Sequence, residues 1–167
     1  MSHVRVVIGT SDGKMSEAYV DLSSTFPDKN GWAPAGIPLQ AINGFERTNK
    51  EIVSIAFAGD SVSTFYIGQI KIVNDPTAIY GEMNTRADLN LAIGDEYTFV
   101  GSGFGGATAL KYEWCFDSAN FDGVDAEGQT VTRRFRKPGD YVVKLTIRDA
   151  YGLKKPYSTT IKVTVNP

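Results

Sequence analysis

Between Tyr141 and Gly152 the chain alternates strictly, with Tyr141, Val143, Leu145 and Ile147 on one parity and Lys144, Thr146 and Arg148 on the other. Successive side chains of a strand point to opposite faces, so this run predicts a half-buried antiparallel strand. Pro138-Gly139-Asp140 leads into it and Asp149-Ala150-Tyr151-Gly152 leads out, both turn-forming compositions. Thr160 to Val165 repeats the alternation through Ile161, Val163 and Val165, and Tyr112, Trp114 and Phe116 supply a third, bulkier face. Three amphipathic strands joined by turns need a second sheet to bury them.

The amino-terminal half is less regular. Val4 to Ile8 reads as a strand closed by a turn at Gly9 to Gly13, and Glu17 to Leu22 as a second, weaker one. A polar passage from Ser23 to Gly36 holds Phe26, Pro27, Trp32 and Pro34. Ile37 to Ile42 predicts a third strand, with Pro38 at its start or on an edge. Asn43-Gly44 turns the chain, and Val53, Ile55 and Phe57 mark a fourth strand. Phe65 to Val73 is the strongest strand pattern of this half. Its apolar residues occupy both parities, which predicts cover on both sides or a phase switch near Gly68.

Asn74 to Thr77 reads as a boundary. The expected organisation is therefore a β-sheet domain over 1–77, a linker over 78–90 and a second domain over 91–167. In the latter, Tyr97 to Val100 and Thr130 to Phe135 add strands, Gly101 to Gly106 a flexible turn and Ser118 to Gly128 an acidic loop. Five short strands cannot cover both faces of Phe65 to Val73, and a unit of that size is marginal by itself. The missing cover is expected from the second domain, from neighbouring chain or from a second copy, by homodimerisation through an exposed strand edge.

Composition narrows the function classes. Of 167 residues, 42 % are hydrophobic and 17 are Gly, which suits a turn-rich β protein and argues against disorder. Formal charge is −2, with 6 basic and 8 acidic residues up to Thr77 and 11 of each beyond it. No general basic surface for nucleic acid is expected. The single cysteine, Cys115, excludes an internal disulfide and reads as a small half-buried hydrophobe. No run is long enough to insert in a membrane. Met1 to Arg5 lacks the apolar core of a signal peptide, but a piece of a longer secreted precursor would lack it too.

Candidate chemistry is sparse. The only histidine is His3, away from Cys115, and most carboxylates sit in turn sequences. A hydrolytic pair or an activated nucleophile is not indicated, so the chain reads as a non-enzyme. Gly101-Ser102-Gly103-Phe104-Gly105-Gly106 lacks the lysine and helix of a phosphate-binding loop, and one His with one Cys does not make a zinc site. No cofactor is indicated. Calcium is the one ion left open, because Asp117, Asn120, Asp122, Asp125 and Glu127 offer oxygen ligands from one loop, though not at EF-hand spacing.

Two sets of residues carry family resemblances. Phe99-x-Gly101-Ser102-Gly103, then Tyr112-x-Trp114-x-Phe116-Asp117, then Phe135-x-x-Pro138-Gly139-x-Tyr141-x-Val143-x-Leu145-x-Ile147-x-Asp149-x-x-Gly152 resembles the PKD (polycystic kidney disease) domain over roughly 89–165. The resemblance implies an immunoglobulin-like β-sandwich that is non-catalytic and extracellular, a spacer or accessory unit beside bacterial polysaccharide-acting or proteolytic domains. After Asp117 the chain departs from the usual short Gly-Asp-Gly type turn, running Ser118-Ala119-Asn120-Phe121-Asp122-Gly123.

Over 18–73, Trp32, Ile37-Pro38-Leu39, Ile52 to Phe57 and Phe65 to Ile72 are similar to the closing strands of jelly-roll carbohydrate-binding modules. Gly68 and Gln69 stand where acidic residues are frequent in that family. The expected architecture is therefore all-β: an immunoglobulin-like (PKD) sandwich preceded by a partial or small jelly-roll-like sandwich. An indole exposed in a polar loop can cover the C–H face of a sugar while amides and carboxylates take its hydroxyls. Trp32, Asn30, Asp28, Gln40 and Tyr66 are the candidate contacts. The functional expectation is a carbohydrate-binding or accessory module of a secreted bacterial polysaccharide-acting protein, with polysaccharide and neighbouring domains of a larger polypeptide as partners. The alternative is a structural spacer or protein-interaction module of a cell-surface assembly, without a sugar site.

Overall fold

Val4, Val6 and Ile8 build the middle of a sheet because both neighbours bring apolar residues to the same face. In the computed structural model, which describes residues 1–22, 29–85 and 88–167, strand β1 (His3–Thr10) pairs antiparallel with β2 (Met15–Asp21) and β3 (Ile52–Gly59), in the order β2-β1-β3. Val6 stands opposite Ala18 and Phe57, and Ile8 opposite Ser16 and Ile55. Ile8, Ala18, Ile42 and Phe45 form a small buried cluster that Ile37, Leu39 and Ile52 flank. By contact density the chain divides into two compact units, Met1–Asp75 with Ala107–Ala109, and Pro76–Gly106 with Leu110–Pro167.

Two expected strands of the first unit are not formed. Ile37 to Ile42 contains a single 3-10 turn, Leu39–Ala41. Pro38 has no N–H to give a sheet, but its carbonyl accepts from Ala41 N at 2.9 Å, and that turn delivers Ile42 to the core. Phe65 to Val73 has no strand assignment. Its apolar residues on both parities require two covered faces, and Tyr66, Ile70, Ile72 and Val73 instead stand exposed. Among the described residues the first unit therefore holds one three-stranded sheet, not the two packed sheets of a partial or small jelly roll.

The second unit is a sandwich. Strands β5 (Asp88–Ala92), β7 (Leu110–Cys115), β8 (Ala126–Glu127), β10 (Gly139–Asp149) and β11 (Tyr157–Asn166) make a five-stranded sheet of order β5-β11-β10-β7-β8. Against it lies a three-stranded sheet, β4-β6-β9, from β4 (Tyr80–Met83), β6 (Glu96–Phe104) and β9 (Thr130–Arg134). Only β5 and β11 run parallel; the other pairs are antiparallel. β4 and the start of β5 fall within 78–90, the stretch expected to be a linker.

The inward parity of β10 is the expected one, with Val143, Leu145 and Ile147 wholly buried. Leu145 stands opposite Trp114, and Val143 opposite Ile161. Trp114 has no exposed surface, and its Nε1 donates to the Gly128 carbonyl at 2.8 Å, so the indole fills the space between sheets without an unmet donor. Phe99 lies 5.8 Å from Trp114 and 5.6 Å from Phe116, centroid to centroid. Gly101 leaves room for this packing: a Cβ there would sit 2.8 Å from Leu145 Cδ2 and 3.4 Å from Trp114 Cζ2. The Gly-rich run expected to be a flexible turn thus begins inside β6, where bare backbone admits the facing side chains.

Asp149 closes β10. Its carboxylate is 5 % exposed and accepts from the backbone N–H groups of Tyr151, Leu153 and Lys154 at 2.9, 2.8 and 3.1 Å. The Lys154 ammonium in turn donates to the carbonyls of Thr77 and Gly105 at 2.9 and 2.6 Å. One buried carboxylate therefore shapes the β10–β11 connection, and one lysine ties it to two other loops of the same unit.

Candidate functional site

Trp32 is half exposed, at 50 %. The benzenoid edge of its indole packs on the bare backbone of Gly68, where a Cβ would lie 3.1 Å from Cζ3 and 3.5 Å from Cη2. Gly68, where the resemblance favours an acidic residue, thus serves as a seat for the indole. Tyr66, two residues before that contact, is 81 % exposed. Asn30 and Gln40 are exposed as well, Gln40 on the 3-10 turn Leu39–Ala41. Asp28 lies outside the described residues.

The oxygen ligands expected of the 117–127 loop are engaged in separate arrangements. Asp117 holds the Asn120 amide at 3.0 Å. Asp122 points outward and pairs with Lys144 at 3.2 Å. Asp125 accepts from Phe116 N at 2.7 Å, which pins the loop to the end of β7. Glu127 stands in β8, opposite Glu113. Among the described residues, no group of three or more His, Cys, Asp or Glu side chains gathers as a metal site. Cys115 is buried at 2 %, its thiol donating to the Phe121 carbonyl at 3.2 Å, so it is more enclosed than the half-buried position its parity suggested.

A second surface feature lies where β9 runs into the turn before β10. Thr132 to Lys137 and Tyr141 line a concavity of about 490 Å³. Arg133 stacks over the Phe116 ring at 5.0 Å, and Arg134 pairs with Glu96 at 3.0 Å. The floor is aromatic and fixed, with Phe135 buried at 2 % and its ring centroid 4.9 Å from that of Tyr141. The Tyr141 hydroxyl donates to the Lys137 carbonyl at 2.9 Å, which sets the turn backbone. The sequence signal was Arg133-Arg134-Phe135-Arg136-Lys137, four cations in five positions, hidden when charge is summed over each half.

The titration shifts among the described groups follow local partners rather than a catalytic centre. Asp60 is held down at about 2, first by the Ser2 hydroxyl and then by the backbone N–H groups of Ser2 and His3. Asp12 is likewise held at about 2, by the Thr10 hydroxyl first and Lys14 next. Burial pushes the Tyr112 and Tyr151 phenols up. Asp12 and Asp60 fasten strand ends of the first sheet, Asp140 is lowered by Thr164 first and Lys162 next in the second unit, and the raised phenols belong to that unit too; none of these groups lines the concavity at 132–137.

A family profile described as the PKD domain matches residues 82–165, half of the chain. No curated protein matches the chain. Among solved structures, the chain is similar to the extracellular domain of a hybrid two component system from B. thetaiotaomicron, at 11 % identity and a TM-score of 0.43. That similarity covers 98 % of this chain and 26 % of the other, so the chain spans about a quarter of that structure's length.

Proposed function

The chain belongs to the PKD domain family, and on that premise we propose that it is a non-catalytic structural or protein-interaction module within a larger bacterial surface or secreted polypeptide. The observation that carries this reading is the fit of the family's motif to the core. The turn at Pro138-Gly139, the β10 parity and Trp114 together close a sandwich in which Phe99, Tyr112, Trp114, Phe116 and Phe135 are taken up by core packing. Such a unit holds neighbours apart or presents its edges and loops to them. It makes no demand for a cofactor.

A second reading, a weak carbohydrate site in the first unit, has one specific observation in its favour. The Trp32 indole is seated on Gly68 by one edge while half its surface stays open, with Tyr66 exposed nearby in sequence. This is the kind of platform that stacks on the C–H face of a neutral sugar. Affinity electrophoresis of the full chain over a panel of neutral plant and algal polysaccharides separates the two readings. The spacer reading expects unchanged mobility in all of them. Retardation that Trp32→Ala abolishes, with an unaltered thermal melt, would replace it with the sugar-binding reading.

A further inference from the structure

We propose that the concavity at the β9–β10 turn is a binding site for the anionic groups of an acidic polysaccharide. Its cations are not neutralised from within. Arg134 alone has a carboxylate partner, Glu96, whereas Arg133, Arg136 and Lys137 have none among the described residues. Three uncompensated charges around a cavity with an apolar floor focus a positive potential there. A carboxylate or sulfate entering it forms charge-assisted, and with arginine bidentate, hydrogen bonds; a neutral sugar gains neither. The cavity's size is within the range that holds a small ligand group. Its base is pre-set, because Phe135 is locked in the core and Tyr141 holds the Lys137 carbonyl.

The bland account is that charges guard an edge strand, since β9 is the outer member of β4-β6-β9. That accounts for Arg133 and Arg134 but not for Arg136 and Lys137, which lie beyond the end of β9 at Arg134. The same placement decides between classes of partner. An acidic peptide adding to β9 would read its main chain, and Arg136 and Lys137 are outside that ladder, followed by Pro138, which has no N–H. Recognition from side chains instead suits a ligand whose anions recur along a stiff backbone. Arg136 and Lys137, both exposed and without a carboxylate partner among the described residues, offer such a ligand side-chain charge alone. The site is independent of the Trp32 platform, which belongs to the other unit, and a spacer needs no ligand here.

The test uses the full chain in affinity electrophoresis and titration calorimetry against polygalacturonate, dextran sulfate, unsubstituted dextran and polyglutamate, at low and at physiological salt. The expected result is binding to at least one of the two anionic glycans, weakened by salt, with none to unsubstituted dextran. The two glycan arms identify whether carboxylate or sulfate is the preferred anion. Arg136→Glu with Lys137→Glu should weaken binding at least about tenfold, since each lost contact to an anion is a charged hydrogen bond. Lys111→Glu with Lys155→Glu, an equal change of charge at two other exposed lysines, should change it less than about twofold. If the charge-reversed pair melts early, Arg136→Gln with Lys137→Gln carries the comparison. Failure to bind either anionic glycan, equal weakening in the two double variants, or tighter binding of polyglutamate than of both glycans would each overturn the proposal.

Discussion

Removing the Asp149 carboxylate should destabilise the second unit more than its place in a surface turn suggests. In Asp149→Ala, the N–H groups of Tyr151, Leu153 and Lys154 lose their acceptor together. A buried donor left unmet costs roughly 1–3 kcal/mol. All three bonds are part-buried, so water recovers part of each. The sum is about 3–4 kcal/mol. Asp149→Asn keeps one oxygen, which best serves Leu153 and Lys154 because both use Oδ2; its amide then faces the Tyr151 N–H and loses that bond. That variant should cost about 1–2 kcal/mol. Urea unfolding in a Trp32→Phe background leaves Trp114 as the sole tryptophan, so its fluorescence reports the second unit alone. With a slope of roughly 1 kcal/mol/M, the midpoint should fall by about 3–4 M for Ala and about 1–2 M for Asn at unchanged slope. A midpoint for Ala within about 0.5 M of the parent, or an Asn variant as unstable as Ala, would refute the reasoning.

Two further outcomes follow from the fold and from its low carboxylates. Residues 76–167 expressed alone should melt cooperatively, whereas 89–167, without the buried Ile79 and β4, should melt at least about 10 °C lower; equal melts would show that β4 is not part of the core. Folded Asp60 and Asp12 titrate near 2, below the value of about 3.9 in an unfolded chain, so the folded state binds fewer protons there. Their contribution is complete above pH about 4 and is lost as pH falls toward 2, and Asp60→Asn should flatten that part of an acid titration followed by circular dichroism. An unchanged acid profile in Asp60→Asn would remove Asp60 from the account.

The alternation at Tyr141 to Ile147, 161–165 and 112–116 settled which residues enter the sandwich core, because side-chain direction in a strand is a local, period-2 property that no tertiary contact needs to assign. The Pro138-Gly139 turn and the inward placing of Trp114 were legible for the same reason, and so was the family. What local pattern could not supply was partner geometry. Phe65 to Val73 has the composition of a strand, but a strand exists only where a neighbour pairs with it, and none of the described strands does so. Ile37 to Ile42 has the apolar spacing of a strand, yet Pro38 turns it into a 3-10 step. Asp149 reads as one turn former among many until three N–H groups converge on it. Arg136 and Lys137 carry no signal in a charge count summed over each half, and only the folded turn sets them beside Phe135 and Tyr141 along one concavity. Whether a polar side chain is a solvated surface group, an organising acceptor or a site depends on what the folded chain brings within about 3 Å of it, and that is decided by tertiary structure alone.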